Sequence, residues 1–204
     1  MDVILHVGAH RTATTSLQRM IGAEGAMLSK RGMAYWGPKR MRSGLCHGLM
    51  GPEDAILPWQ ANRARLRIAR RARAEEETGH RTLFLSDENM LGAMRPLLRD
   101  AALYPAAGAR VVRFAEGLAG YPMTVGLATR GYADWWASLL AFRMLRGGPR
   151  PGPGLTSRLL RQPRRWRHLV ADLAQALPGA RIVVWRHEAM AARPPRGWTR
   201  RATA

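Results

Sequence analysis

One stretch limits what this chain can fold into more than any other. Val3-Ile4-Leu5-His6-Val7 is a short apolar run, and Gly8-Ala9-His10-Arg11-Thr12-Ala13-Thr14-Thr15-Ser16 follows it without a spacer. Leu17, Met20 and Ile21 then open an apolar stripe at helical spacing. A buried strand, a loop of small and hydroxyl residues and a helix make one strand–turn–helix unit of an α/β sheet. Backbone N–H groups and a helix N-terminus converge in such a loop, and an anion, a phosphate above all, satisfies them. The hydroxyls of Thr12, Thr14, Thr15 and Ser16 add donors, and Arg11 adds a fixed positive charge.

The alternation continues along the chain. The pattern predicts a helix over 14–31 with Leu17, Ile21 and Leu28 turned inward, capped by Thr14 or Thr15 and ended by Gly32. A second strand covers 33–36. Residues 39–58, with His47 and the acidic pair Glu53-Asp54, lack periodicity and read as a substrate-facing or mobile loop. A basic helix over 61–78 leads to a third strand, 81–86, which ends in Asp87-Glu88-Asn89. A helix over 106–120 precedes a fourth strand, 123–129, with Arg130 at its end. An aromatic-rich helix (132–145), a Gly/Pro linker (147–154) and a basic helix (163–177) lead to a fifth strand, 181–185, and to Arg186-His187-Glu188. Residues 193–204 carry no pattern.

This order predicts an α/β fold, three-layer α/β/α, around a central, mostly parallel sheet of about five strands. Right-handed crossovers bring the ends of strands one, three and four to one edge, where ligands of open α/β sheets gather. The Arg11 loop, Asp87-Glu88 and Arg130 then share that edge. Asp87 reads equally as the cap of the following helix.

A length of 204 residues suits one domain. The net charge of +19 directs the search to anionic partners. Lys30 and Lys39 are the two lysines, and an excess of arginine also follows from a coding bias. The lone Cys46 excludes an internal disulfide and a cysteine metal cluster, and Cys46-His47 has no companion ligands in the pattern. No signal-peptide or transmembrane pattern is visible, so a cytoplasmic protein is expected. Tyr132, Trp135, Trp136 and Phe142 lie among Leu139, Leu140 and Met144 and read as core. Without a recognised motif, nucleic acid is not an expected partner.

Against the Walker A pattern, Gly8 fits the first glycine, but Ala13 stands at the second glycine and Thr14 at the lysine. Nucleoside triphosphate hydrolysis is therefore not expected, and the G-x-G-x-x-G dinucleotide pattern is absent. The stretch from Gly8 to Gln18 instead resembles the 5′-phosphosulfate loop of the sulfotransferase family, G-x-x-K-[ST]-G-[ST]-[ST]. Arg11 stands for its lysine and Ala13 for its glycine. The family's second signature, an arginine after a strand and a serine eight residues on, is matched by Arg130 and Ser138. Arg186-His187-Glu188 is similar to a late R-x-E element, with a structural role expected.

The resemblance implies a P-loop-like fold and a donor, 3′-phosphoadenosine 5′-phosphosulfate, whose sulfuryl group passes to a hydroxyl or amine. It implies that the backbone from Thr12 through Ala13 to Ser16, with the Thr14 and Thr15 hydroxyls, holds the 5′-phosphate. Arg130 and Ser138 would hold the 3′-phosphate, and Arg11 would stabilise the leaving group. Glu88 is the first candidate for the acceptor's base, Asp87 the second and His10 the third. No metal is needed. The positive charge points to an acidic saccharide as acceptor. The alternative is a catalytically degenerate nucleotide- or polyanion-binding protein of the same fold, in keeping with the departures at Arg11 and Ala13. The resemblance spans residues 2–188. A single sulfotransferase-like domain over 1–204 is expected, short at its C-terminus, with Gly197-Trp198-Thr199-Arg200-Arg201 as remnant of a later basic loop.

Overall fold

The structure is a computed structural model that describes residues 1–51 and 55–191. The opening apolar run forms β1 (Asp2–His6), and the hydroxyl-rich loop leads into α1 (Thr14–Ala23). The chain continues through α2 (Gly25–Lys30), β2 (Met33–Trp36), α3 (Pro38–Arg40), α4 (Pro58–Glu77) and β3 (Thr82–Ser86). Then come α5 (Met94–Asp100), α6 (Ala107–Ala115), β4 (Met123–Thr129) and α7 (Tyr132–Leu145). The last elements are α8 (Pro153–Arg161), α9 (Trp166–Ala176), β5 (Arg181–Arg186) and α10 (His187–Ala191).

All five strands are parallel, in the order β2-β3-β1-β4-β5, and helices flank the sheet in a three-layer α/β/α arrangement. β1 is central and covered on both faces: Val3 and Leu5 are buried on one, Ile4 is half-buried and His6 buried on the other. Leu83, Leu85, Val125 and Leu127 extend that core, and Ile68, Val111, Phe114, Leu169 and Leu173 of α4, α6 and α9 cover it. Each such side chain contributes about 1.5–3 kcal/mol by leaving water. His6 lies opposite Ser86 on one side and Gly126 on the other, so β1 and β3 end level while β4 runs on to Thr129 beside β5. The chain turns from β1 towards β2 and later crosses back to β4. That reversal makes a crevice at the carboxyl ends of β1 and β3.

Several expected boundaries are corrected. The helix expected over 14–31 breaks at Glu24 (φ −93°, ψ 9°). Leu17, Ile21 and Leu28 are only half-buried, and α1 buries Thr14 and Gln18 instead. It packs polar side chains onto the site rather than an apolar stripe into the core. No threonine caps it: Ala13 is the N-cap and makes no side-chain bond. The described residues of 39–51 are not an open loop. They form α3 and a π-helical turn (Met41–Leu45), and bury Met41, Cys46 and Leu49. Glu53-Asp54 lies outside the described residues, as do 193–204 with Gly197-Trp198-Thr199-Arg200-Arg201. α4 starts at Pro58, a proline at the first helical position, rather than at 61. α5 falls where the sequence pattern assigned no element, and α8 begins inside the stretch read as a Gly/Pro linker. Pro96 lies in the first turn of α5 and Pro153 opens α8, where a missing N–H costs nothing. No helix among the described residues is long and apolar enough to cross a membrane.

Candidate functional site

The β1 loop is built from three left-handed residues: Gly8 (φ 47°), Arg11 (φ 65°) and Ala13 (φ 62°). A Cβ at Gly8 would meet Thr14 Oγ1 at 2.6 Å, so both backbone angle and packing require glycine there. Thr12 Oγ1 donates to the Ala9 carbonyl at 2.7 Å and Thr14 Oγ1 to the same oxygen at 3.3 Å. These two buried hydroxyls brace the turn, which corrects the ligand role expected of Thr14's hydroxyl. Thr15 and Ser16 are exposed. Ser16 and Leu17 donate their N–H groups to the Ala13 carbonyl. Among the described residues, no acceptor meets the backbone N–H groups from Arg11 to Thr15. Left-handed residues alternating through such a run form an anion-binding nest, here at a helix N-terminus.

Aromatic side chains anchor the loop from behind. Tyr104 Oη accepts the His10 N–H at 2.9 Å and lies 2.7 Å from His10 Nδ1. The tyrosine hydroxyl therefore donates to Nδ1, and Nε2 carries the ring proton towards Asn89 Oδ1 at 3.3 Å. Trp135 Nε1 donates to the His10 carbonyl at 2.7 Å. Burial pushes the His10 pKa below its ordinary value, against the pull of Glu88. His10 is thus a buried, neutral anchor with both ring nitrogens engaged. The expectation that it serves as an acid or base is corrected on that ground.

Arg130 and Ser138 both reach Arg11. Arg130 Nη1 donates to the Arg11 carbonyl at 3.1 Å, and Arg11 Nε donates to Ser138 Oγ at 3.0 Å. The Arg11 guanidinium lies over the Phe142 ring, 4.8 Å from its centre. Arg130 is held by its backbone: Trp166 Nε1 donates to its carbonyl at 2.7 Å, and the next N–H, of Gly131, donates to Glu188 Oε1 at 2.6 Å. The Arg186-His187-Glu188 element acts here as a backbone anchor.

Beyond β3 the two carboxylates differ. Asp87 is fully buried; Arg42 Nε and Nη2 bond its two oxygens at 2.8 and 2.7 Å, and Asn89 N–H donates to Oδ1 at 2.9 Å. Asp87 is a cap and ion-pair partner, so its candidacy as a base is corrected. Glu88 faces a cleft of about 680 Å³, lined also by Thr15, Gln18, Arg19, Tyr35 and Lys39. Gln18 Nε2 donates to Glu88 Oε2 at 3.1 Å and Arg42 Nη2 to Oε1 at 3.1 Å. Burial raises the Glu88 pKa, but its own backbone N–H, Gln18, His10 and Arg42 outweigh burial and hold it below the usual carboxylate value. Burial, then Asp87 and Glu88, push Tyr35 up to about 12, so it stays neutral.

The structure thus brings Arg11, Thr12, Ala13, Thr14, Thr15, Ser16, Arg130, Ser138 and Glu88 to one sheet edge. Sequence reasoning missed Gln18, Arg42, Tyr104 and Trp135 as site residues. Gln18 carried a signal, a polar residue one turn inside α1; Arg42 had none. Among the described residues no group of His, Cys, Asp and Glu could hold a metal ion. No protein-family model matches this chain, and no curated protein matches it.

Proposed function

We propose that this chain is a sulfotransferase, taking a sulfuryl group from 3′-phosphoadenosine 5′-phosphosulfate to an acceptor hydroxyl or amine in the Glu88 cleft. One observation carries the reading: Arg130 and Ser138 both bond Arg11, so a nest of free N–H groups and a second set of anion donors meet at one residue. A nucleotide with phosphates at both its 3′ and 5′ positions needs two anion sites that close together.

The donor supplies an electrophilic sulfur, whose bond to the phosphate oxygen breaks as the acceptor's lone pair bonds to it. The chain's residues hold and neutralise. The N–H groups of Thr12 to Thr15 take the 5′-phosphate, with Thr15 and Ser16 hydroxyls as further donors. Arg130 and Ser138 take the 3′-phosphate. Arg11 balances the charge that grows on the leaving oxygen; a guanidinium keeps its proton, so this help is electrostatic. Glu88 accepts the acceptor's proton, and Gln18 and Arg42 fix its orientation.

A second reading, a protein of this fold that binds the nucleotide without transfer, draws on Ala13. Its left-handed backbone strains the loop where glycine would not. Calorimetric titration with adenosine 3′,5′-bisphosphate tests both, with saturable one-to-one binding expected; no binding would sink both. Turnover of radiolabelled donor with hydroxyl and amine acceptors then separates them.

A further inference from the structure

Behind Glu88 runs a chain of buried polar groups. His6 ends β1 and Ser86 ends β3, opposite each other in the sheet register, and both are buried, as is Gln18 of α1. Three buried polar side chains cost free energy unless each is bonded, and apolar residues would hold these layers together without that cost. The bonds lead in one direction. His6 Nδ1 lies 2.7 Å from Ser86 Oγ, and Gln18 Nε2 lies 3.2 Å from that Oγ and 3.1 Å from Glu88 Oε2. The chain ends at Glu88, the carboxylate that lines the cleft.

The partners fix each donor. Glu88 Oε2 and the Ser86 carbonyl, the latter 3.4 Å from Gln18 Nε2, only accept, so the amide nitrogen faces them. Ser86 Oγ accepts from the same nitrogen, which leaves its own hydrogen for His6 Nδ1. Burial lowers the His6 pKa to about 4, so the ring is neutral and one nitrogen keeps a lone pair. The ring is itself held, stacked between Phe84 and Trp185 with 5.8 and 5.7 Å between centres. Trp185 belongs to β5 and reaches His6 across β4 at Gly126, where a Cβ would lie 3.3 Å from the indole.

We infer that His6 and Ser86 are positioning residues for the transfer: acting through Gln18, they aim Glu88 at the acceptor. This rests on the sulfotransferase reading above. The test gives full-length protein radiolabelled donor at neutral pH, with water as the acceptor. Water's oxygen bonds the sulfur as the bond from sulfur to the phosphate oxygen breaks. Glu88 takes one proton, and the bisulfate released beside adenosine 3′,5′-bisphosphate loses the other to solvent. Ser86→Ala and His6→Phe each lower kcat for sulfate release about tenfold, with the donor's KM and the bisphosphate affinity within about twofold. His6→Asn sets an amide oxygen where Nδ1 stood and recovers most of that rate. His6→Phe keeps the ring stack and His6→Asn loses it, so His6→Phe melts higher yet turns over more slowly.

Rates that follow the melting temperatures mean a structural role alone and overturn the inference. Because the serine acts through the glutamine, Ser86→Ala/Gln18→Met is no slower than Gln18→Met; losses that multiply overturn it. Nitrogen NMR reads the ring without any turnover. His6 Nδ1 carries no proton, and a protonated Nδ1 overturns the inference while leaving the sulfotransferase reading in place. Bisphosphate titration of the unsubstituted chain separates the two levels. No binding sinks the sulfotransferase reading itself. Binding without sulfate release leaves the nucleotide-binding alternative, and a full rate in Glu88→Gln removes Glu88 as the base; either result overturns the positioning role.

Discussion

The two halves of the β1 loop are held in opposite ways. From Gly8 to His10 nearly every polar group is spent: Tyr104, Trp135 and Asn89 bond His10, and the Ala9 carbonyl takes two threonine hydroxyls. From Arg11 to Thr15 the N–H groups are unspent. The first half makes the second rigid without consuming its donors. Preorganised donors cost no rearrangement when an anion arrives, so their attraction is not offset by ordering. The contrast predicts a separation: changes in the clamped half move stability, and changes in the open half move anion binding.

The largest expected effect is on pH dependence, in the clamped half and the strand that feeds it. His6 is stacked between Phe84 and Trp185, its Nδ1 2.7 Å from Ser86 Oγ. Burial lowers its pKa to about 4, against Glu88, and His10 shifts the same way. The unfolded chain takes up protons below pH 6.5 that the folded chain refuses. Stability is therefore full above about pH 6.5 and lost as pH falls towards 4. His6 alone accounts for about 3 kcal/mol, at about 1.4 kcal/mol per unit. Glu88, with its lowered pKa, adds loss of the same sign at the lower end. Urea denaturation at pH 7, 5.5 and 4.5 measures the slope; a flat profile would remove the buried neutral histidines.

Gly8→Ala comes next, at about 2–3 kcal/mol. It combines a left-handed backbone with a Cβ 2.6 Å from Thr14 Oγ1. Tyr104→Phe follows at about 2 kcal/mol, since it strips the partner from a buried N–H and from Nδ1 of His10. In a chain of this size that is a fall of about 6 °C in Tm. Bisphosphate affinity of the folded Tyr104→Phe protein should stay within about threefold. A larger loss of affinity than of stability would erase the distinction between the halves.

Arg130→Ala tests the open half. Its side chain makes one exposed hydrogen bond, to Arg11, so Tm should move by less than about 2 °C. Bisphosphate affinity should fall about tenfold, or about 1.4 kcal/mol, for one charge-assisted contact. Unchanged affinity in calorimetry would detach Arg130 from the anion site.

The same division explains what could be read from the amino-acid order. The five strands are short apolar runs between turn residues, a local signal, and each lies where that signal put it. The resemblance singled out Arg11, Arg130 and Ser138 from two motifs that are each local in the chain, and the three lie together in the structure. Arg42, Gln18 and Tyr104 act through partners 45, 70 and 94 residues away, and nothing beside them in the chain marks those contacts. His10, the last of the three base candidates, shows a related limit. Its residue type suggests titration near neutrality, but burial by Tyr104 and Trp135 is a tertiary property. Residues 39–58 looked loose because their apolar residues follow no single period, yet Met41, Cys46 and Leu49 all reach the core.

The smallest effect bears on the hinge between the halves. Ala13 holds a left-handed backbone at about 1–2 kcal/mol above what glycine would need. Glycine returns part of that as greater freedom in the unfolded chain, about 0.4–1 kcal/mol. Ala13→Gly should therefore stabilise the protein by about 0.5–1 kcal/mol, visible as a rise of about 2 °C in Tm. Its N–H is already free, so bisphosphate affinity should change less than about twofold. If alanine's stiffness is what keeps the five donors aligned, the variant instead gains stability and loses affinity. Strain at Ala13 would then be part of how the open half stays open, and the clamp behind it would not be sufficient alone.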